Sequence, residues 1–170
     1  MKKFLSVLIC ILLVVPVFSQ SATAISEILL KERASYMDMS YLVTAELGMN
    51  STPFEAYTWC ERFGSFPVNV TPDSPITVKV LSFFLMANYE INGGLMWSIT
   101  HSPRYAWKEL KATGFWRIRF DPDRELSGRE LVNAVSRFFE SNPDAKLREP
   151  PAAEASHNFR ELLLKDKEDK

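Results

Sequence analysis

The sequence predicts an all-α protein, a mainly helical repeat bundle with short extended loops. Three observations carry this. Hydroxyl residues stand just before apolar stretches, often with proline next or an acid three positions on, as at helix starts. Apolar residues then recur every three to four positions. The whole pattern returns after fifty residues, so that TPFEAYTWCERFGSFPVNVTPDSPITVKVL (52–81) lies on SPRYAWKELKATGFWRIRFDPDRELSGREL (102–131) without a gap. A period of this size marks a repeated supersecondary unit.

The chain opens MKKFLSVLICILLVVPVFSQSATA, a basic start, an apolar run from Phe4 to Phe18 and small residues ending at Ala24. That order is expected of a secretory signal peptide over 1–24, and the Lys-Lys start has a bacterial look. The apolar run is shorter than the ~20 residues that span a bilayer. Cleavage after Ala24 would leave no stable transmembrane segment; an uncleaved anchor is the other outcome. The leader takes two of the 20 basic residues and none of the 21 acidic ones. The mature chain is therefore more acidic than the whole, which argues against a nucleic-acid partner. Cys10 leaves with the leader, so Cys60 has no partner for an internal disulfide, and packing must hold the exported fold together.

The elements follow in order. Ser35 starts a helix over 35–47. Its residues Ser35, Met39, Ser40, Tyr41, Leu42 and Val43 match Thr77, Leu81, Ser82, Phe83, Phe84 and Leu85, which makes it the end of a third, partial copy. Thr52-Pro53 with Glu55 opens a helix over 53–63 through a capping box, and Gly64 closes it. Pro72-Asp73 makes a turn, and Thr77 caps a helix over 77–90 lined by Val80, Leu81, Phe84, Leu85 and Tyr89. Gly93-Gly94 interrupts the chain, and Leu95-Met96-Trp97 is expected to tuck against the core. Ser102-Pro103 opens a helix over 103–113, closed by Gly114. Ser127-Gly128-Arg129-Glu130 is a full capping box for a helix over 128–140. Residues 25–140 thus form one helical domain of about two and a half repeats, with copies at 52–89 and 102–139. A polar, partly disordered tail is expected over 141–170. Within it Phe159, Leu162, Leu163 and Leu164 could form a short amphipathic helix for a partner.

Four acids, Asp121, Asp123, Glu125 and Glu130, crowd the stretch FDPDRELSGRELV (120–132). A calcium loop would want Asp or Asn at its fifth position and glycine at its sixth, where Glu125 and Leu126 stand. The first copy keeps the turn but loses three of the acids, so the stretch reads as a turn feeding a capped helix, and no metal site is expected.

The order helix, glycine, aromatic stretch, Pro-Asp turn, hydroxyl cap, apolar helix resembles S-layer homology (SLH) repeats. YAWKELKATGFWRIRFDPDRELSGRELVNAVSRFF (105–139) carries the likeness best, with AYTWCERFGSFPVNVTPDSPITVKVLSFFLM (56–86) as a second copy. The resemblance implies a helical bundle and, as in many of these repeats, binding to secondary cell-wall polymer or peptidoglycan. The family's Thr-Arg-Ala-Glu motif is degenerate here. Its arginine position holds Val78 in the first copy and Gly128 in the second, where only Ser127 and Glu130 match, with Arg129 beside them.

Catalytic constellations are missing. His101 and His157 are the two histidines, and neither a zinc-protease helix, a nucleophile elbow nor a phosphate loop is present. Cys60 lies on an apolar helix face and reads as a buried small hydrophobe. The expectation is therefore a non-enzymatic protein without cofactors, exported to the periplasm or cell envelope, and acting as a binding or anchoring module for cell-wall polymer. Trp107, Trp116, Arg104 and Arg129 are the candidate ligand-binding residues, because aromatic faces and arginines suit a glycan or an acidic polymer. The alternative is a periplasmic scaffold or assembly protein that binds another envelope protein.

Overall fold

The computed structural model describes residues 22–89, 91, 93–117 and 120–148. Most of the expected leader and residues 149–170 of the expected tail lie outside the described residues. The described chain is helical and contains no strand. Helix α1 covers 22–30, followed by α2 (Tyr36–Glu46), α3 (Pro53–Glu61), α4 (Val78–Asn88), α5 (Leu95–Thr100), α6 (Pro103–Ala112) and α7 (Gly128–Ser141).

Ser35, Thr52, Thr77, Ser102 and Ser127 are each the N-cap of a helix. Full capping boxes join Ser35 to Asp38, Thr52 to Glu55 and Ser127 to Glu130. At Ser102 the hydroxyl accepts from the Tyr105 amide, and proline fills the first helical position. Thr77 departs from expectation: it occupies the cap position, but its hydroxyl makes no capping bond and is buried without a partner. Its helix carries Val80 where the three boxed helices have Asp or Glu, so nothing reaches back to complete a box. Gly64 and Gly114, just past α3 and α6, adopt left-handed backbone at φ 64° and 79°, where a Cβ would be strained.

The segments leading into α2, α4 and α7 meet at a closed ring of three backbone hydrogen bonds. The Ile76 amide donates to the Ala34 carbonyl (2.9 Å), Leu126 to Ile76 (3.0 Å) and Ala34 to Leu126 (2.7 Å). Each of the three residues immediately precedes a cap, and each is fully buried. The amides that follow repeat the relation one step outward. Tyr36 donates to Ser74, Val78 to Arg124 and Gly128 to Lys31. Helix α1 therefore enters the arrangement through the loop after it, and its Ile28 is buried. A Cβ on Gly128 would lie 1.6 Å from the Ile28 carbonyl oxygen, so the third contact requires glycine.

Around this hub α2 packs on α3 and α7, and α4 packs on α6. Helix α4 is buried all round except at Lys79, as a central helix must be when it is apolar on every side. Helix α7 is amphipathic and buries Leu131, Ala134, Val135 and Phe138. Burial of about a dozen large side chains to this degree supplies the main driving force, at roughly 1.5–3 kcal/mol each.

Two expectations need adjusting. Of Leu95-Met96-Trp97 only Trp97 tucks into the core, against Phe83; Leu95 and Met96 point outward on α5. The chain also does not leave the fold at 141. Helix α7 runs to Ser141, and residues 142–148 return to α4, where the Arg148 amide donates to the Asn88 carbonyl (2.7 Å) and Leu147 pairs with Tyr89. Ala145 and Leu147 pack on the core there, which gives this short polar stretch its anchor.

Candidate functional site

The loop between α6 and α7 turns back over α7 and leaves a cleft of about 250 Å³. Helix α7 contributes Glu130, Asn133, Ala134 and Arg137, which share one face by their three- and four-residue spacing. The loop contributes Trp116, Arg117 and Phe120.

Each wall is fixed by identifiable bonds. Trp116 is buried and donates its indole N–H to the Ser82 hydroxyl at 2.8 Å, which in turn donates to the Val78 carbonyl at 2.7 Å. Phe120 lies against the Trp116 ring (5.4 Å between centroids) and is covered on another side by the Arg124 guanidinium (4.8 Å). The Phe120 carbonyl accepts the Trp107 indole N–H at 3.2 Å. Arg137 lies over the Phe115 ring (4.6 Å) and also donates to the Phe115 carbonyl. Glu130 is committed to its cap and to Arg124 (2.5 Å). Burial works to raise its carboxyl, but hydrogen bonds from Ser127 and Arg124 outweigh that and hold it below the ordinary range.

Arg117 and Asn133 are exposed on the rim, and Arg117 has no ion-pair partner among the described residues. The cleft thus offers an aromatic floor, a surplus of guanidinium charge and an unengaged amide. Such a surface can donate hydrogen bonds to an acidic or hydroxyl-rich ligand.

Of the residues singled out in the sequence, Trp116 lines the cleft. Trp107 supports it from behind, with its N–H given to Phe120 and its ring covered by Lys111 at 4.6 Å. Arg104 and Arg129 are exposed on α6 and α7 and are not part of the lining. Arg117 and Arg137 stand there instead. Arg117 directly follows Trp116 in the sequence. The α7 position of Arg137 could have been found by extending the Glu130 helix face by two turns.

The four acids of 120–132 part company. Asp121 accepts the Asp123 amide (2.9 Å), Asp123 pairs with Lys79 (3.0 Å), Glu125 pairs with Arg33 (3.1 Å), and Glu130 caps α7. Among the described residues no three His, Cys, Asp or Glu side chains gather as a metal site. Cys60 is buried, and its thiol is pushed up to about 12 by burial, against the opposing effect of a hydrogen bond with Ser40.

No family model matches the chain, and no curated protein or solved structure is significantly similar to it.

Proposed function

We propose that the protein is a non-enzymatic, exported component of a bacterial cell envelope that binds an acidic cell-wall polymer in the cleft between the 115–120 loop and α7. The observation that carries this reading is the pairing of an aromatic floor, Trp116 and Phe120, with Arg117 and Arg137 in one cleft of about 250 Å³. The secretory pattern of the first 24 residues and the likeness to SLH repeats support the same setting. The degenerate Thr-Arg-Ala-Glu position offers no guanidinium, because its arginine position holds Val78 and Gly128, both buried. Recognition comes from the neighbouring loop instead.

Retention on purified cell-wall sacculi tests the proposal. The full chain is expected to be retained at low salt and released as salt screens the guanidinium contacts. Arg117→Glu, at an exposed position without an ion pair among the described residues, is expected to weaken retention several-fold while leaving the thermal midpoint unchanged. No retention at either low or high salt would overturn the polymer reading.

A further inference from the structure

We infer that the α5–α6 hairpin is a docking surface for an anionic phospholipid bilayer. Helix α5 is six residues long, yet Leu95, Met96 and Ile99 are 71%, 50% and 67% exposed. Its one buried residue, Trp97, packs edge-on against Phe83 (6.1 Å) and beneath His101 (5.2 Å), so the outward turn of the other three is fixed. A cluster of large apolar side chains held outward on a rigid element marks a contact surface.

Charge says what it contacts. Helix α6 packs on α5 and exposes Arg104 and Lys108, with Lys111 half-buried. Its one acid, Glu109, is directed at the start of α5, since a Cβ on Gly94 would lie 2.6 Å from the Glu109 carboxylate. The hairpin is therefore basic and apolar in a chain whose net charge is −1. Long cations exposed on a helix that packs against a small apolar knob suit the headgroup layer, where such stems lie along the apolar region while their heads reach lipid phosphate. Three side chains on one short helix fall well short of the ~800 Å² per partner that a stable protein interface buries. A bilayer needs no matching groove: the apolar side chains insert, and each basic residue near the surface is worth roughly five-fold in affinity.

The test places an environment-sensitive fluorophore on Ile99→Cys in the full chain with Cys10→Ser, Cys60 being buried. Vesicles of phosphatidylglycerol mixed with phosphatidylcholine are compared with phosphatidylcholine alone. Because the probe reports residue 99 locally, insertion of the apolar run at 4–18 does not mimic the result. A blue shift with the anionic vesicles only is expected, requiring at least roughly 10-fold more lipid when Arg104 and Lys108 are both changed to Gln. An equal shift on neutral vesicles, no shift on anionic ones, or a shift without vesicles that grows with protein concentration would overturn the proposal. The last outcome would assign the face to a second copy of the chain. Sacculus retention is measured separately, so neither result depends on the other.

Discussion

Tyr57 and Trp107, fifty residues apart, perform the same task with different atoms. The Tyr57 hydroxyl donates to the Val70 carbonyl and the Trp107 indole N–H donates to the Phe120 carbonyl, each at 3.2 Å and each thirteen residues downstream. In both cases an aromatic residue on the first helix of a unit pins the loop that leads to the next. Tyr57→Phe removes one such bond without removing the ring. We expect a loss of about 1 kcal/mol in chemical denaturation. Trp107→Phe should cost at least as much, and should also loosen the wall of the cleft. Equal stability of wild type and both variants would show that the loops hold without these bonds.

Gly128→Ala should be the most damaging glycine substitution of the fold. The added Cβ would meet the Ile28 carbonyl at 1.6 Å, a backbone atom that cannot swing away. A loss on the order of 3 kcal/mol is expected. Gly114→Ala meets nothing within 4 Å and suffers only from its positive φ, so roughly 1–2 kcal/mol should be lost there. Thermal midpoints of the two variants, measured side by side, check the ranking.

Thr77 and Ser127 sit at equivalent caps but should respond in opposite ways. Ser127→Ala removes a hydroxyl that accepts the Glu130 amide and is expected to lose about 1 kcal/mol. Thr77→Val replaces a buried hydroxyl without a hydrogen bond by a methyl of similar shape, and should be neutral or stabilising. Urea unfolding of both decides the point, and a destabilised Thr77→Val protein would contradict it.

Acid should weaken the fold through the capping boxes. Glu55 is held below its ordinary value of 4.5 by hydrogen bonds from the Thr52 amide and hydroxyl, and Glu130 is likewise held low by Ser127 and Arg124. A carboxyl whose pKa falls on folding contributes stability that is full above its unfolded pKa and is lost as pH drops through the folded value. The melting temperature should therefore decline as pH falls below about 4.5, and Glu130→Gln should flatten that decline. An unchanged slope in this variant would remove Glu130 from the explanation.

Cys60 should behave as packing material. With the thiol buried and its ionisation pushed up to about 12, a disulfide reagent at neutral pH should find it only after denaturation, in a chain carrying Cys10→Ser. Rapid native labelling would mean that α3 opens readily.

Most helix boundaries were legible in the sequence because the groups that set them lie within three or four residues of one another. Thr52, Pro53 and Glu55 suffice to begin α3, and Ser127 with Glu130 suffices for α7, whatever surrounds them. Helix α1 was not legible, since its start at 22–24 fell within the expected leader and its remaining residues, 25–30, were given no element. Helix α5 was also missed, because Gly93-Gly94 looked like a break and no capping side chain announces the six residues that follow. The cleft was legible only in part. Its chemistry, aromatic rings with arginines, was visible, but Arg104 and Arg117 are indistinguishable until one knows which of them the loop turns toward α7.

By itself, then, the sequence determined where the side-chain-capped helices start and that the pattern recurs, since short-range hydrogen bonds and backbone preferences act within a turn. Only the tertiary structure decided how the copies meet. The ring through Ala34, Ile76 and Leu126 joins residues 42 to 92 positions apart, and the contact from Gly128 to Lys31 just outside it depends on glycine letting the Ile28 carbonyl come close. Contacts of that separation form when buried apolar surface outweighs the entropy of closing long loops, a balance that no local stretch of sequence displays.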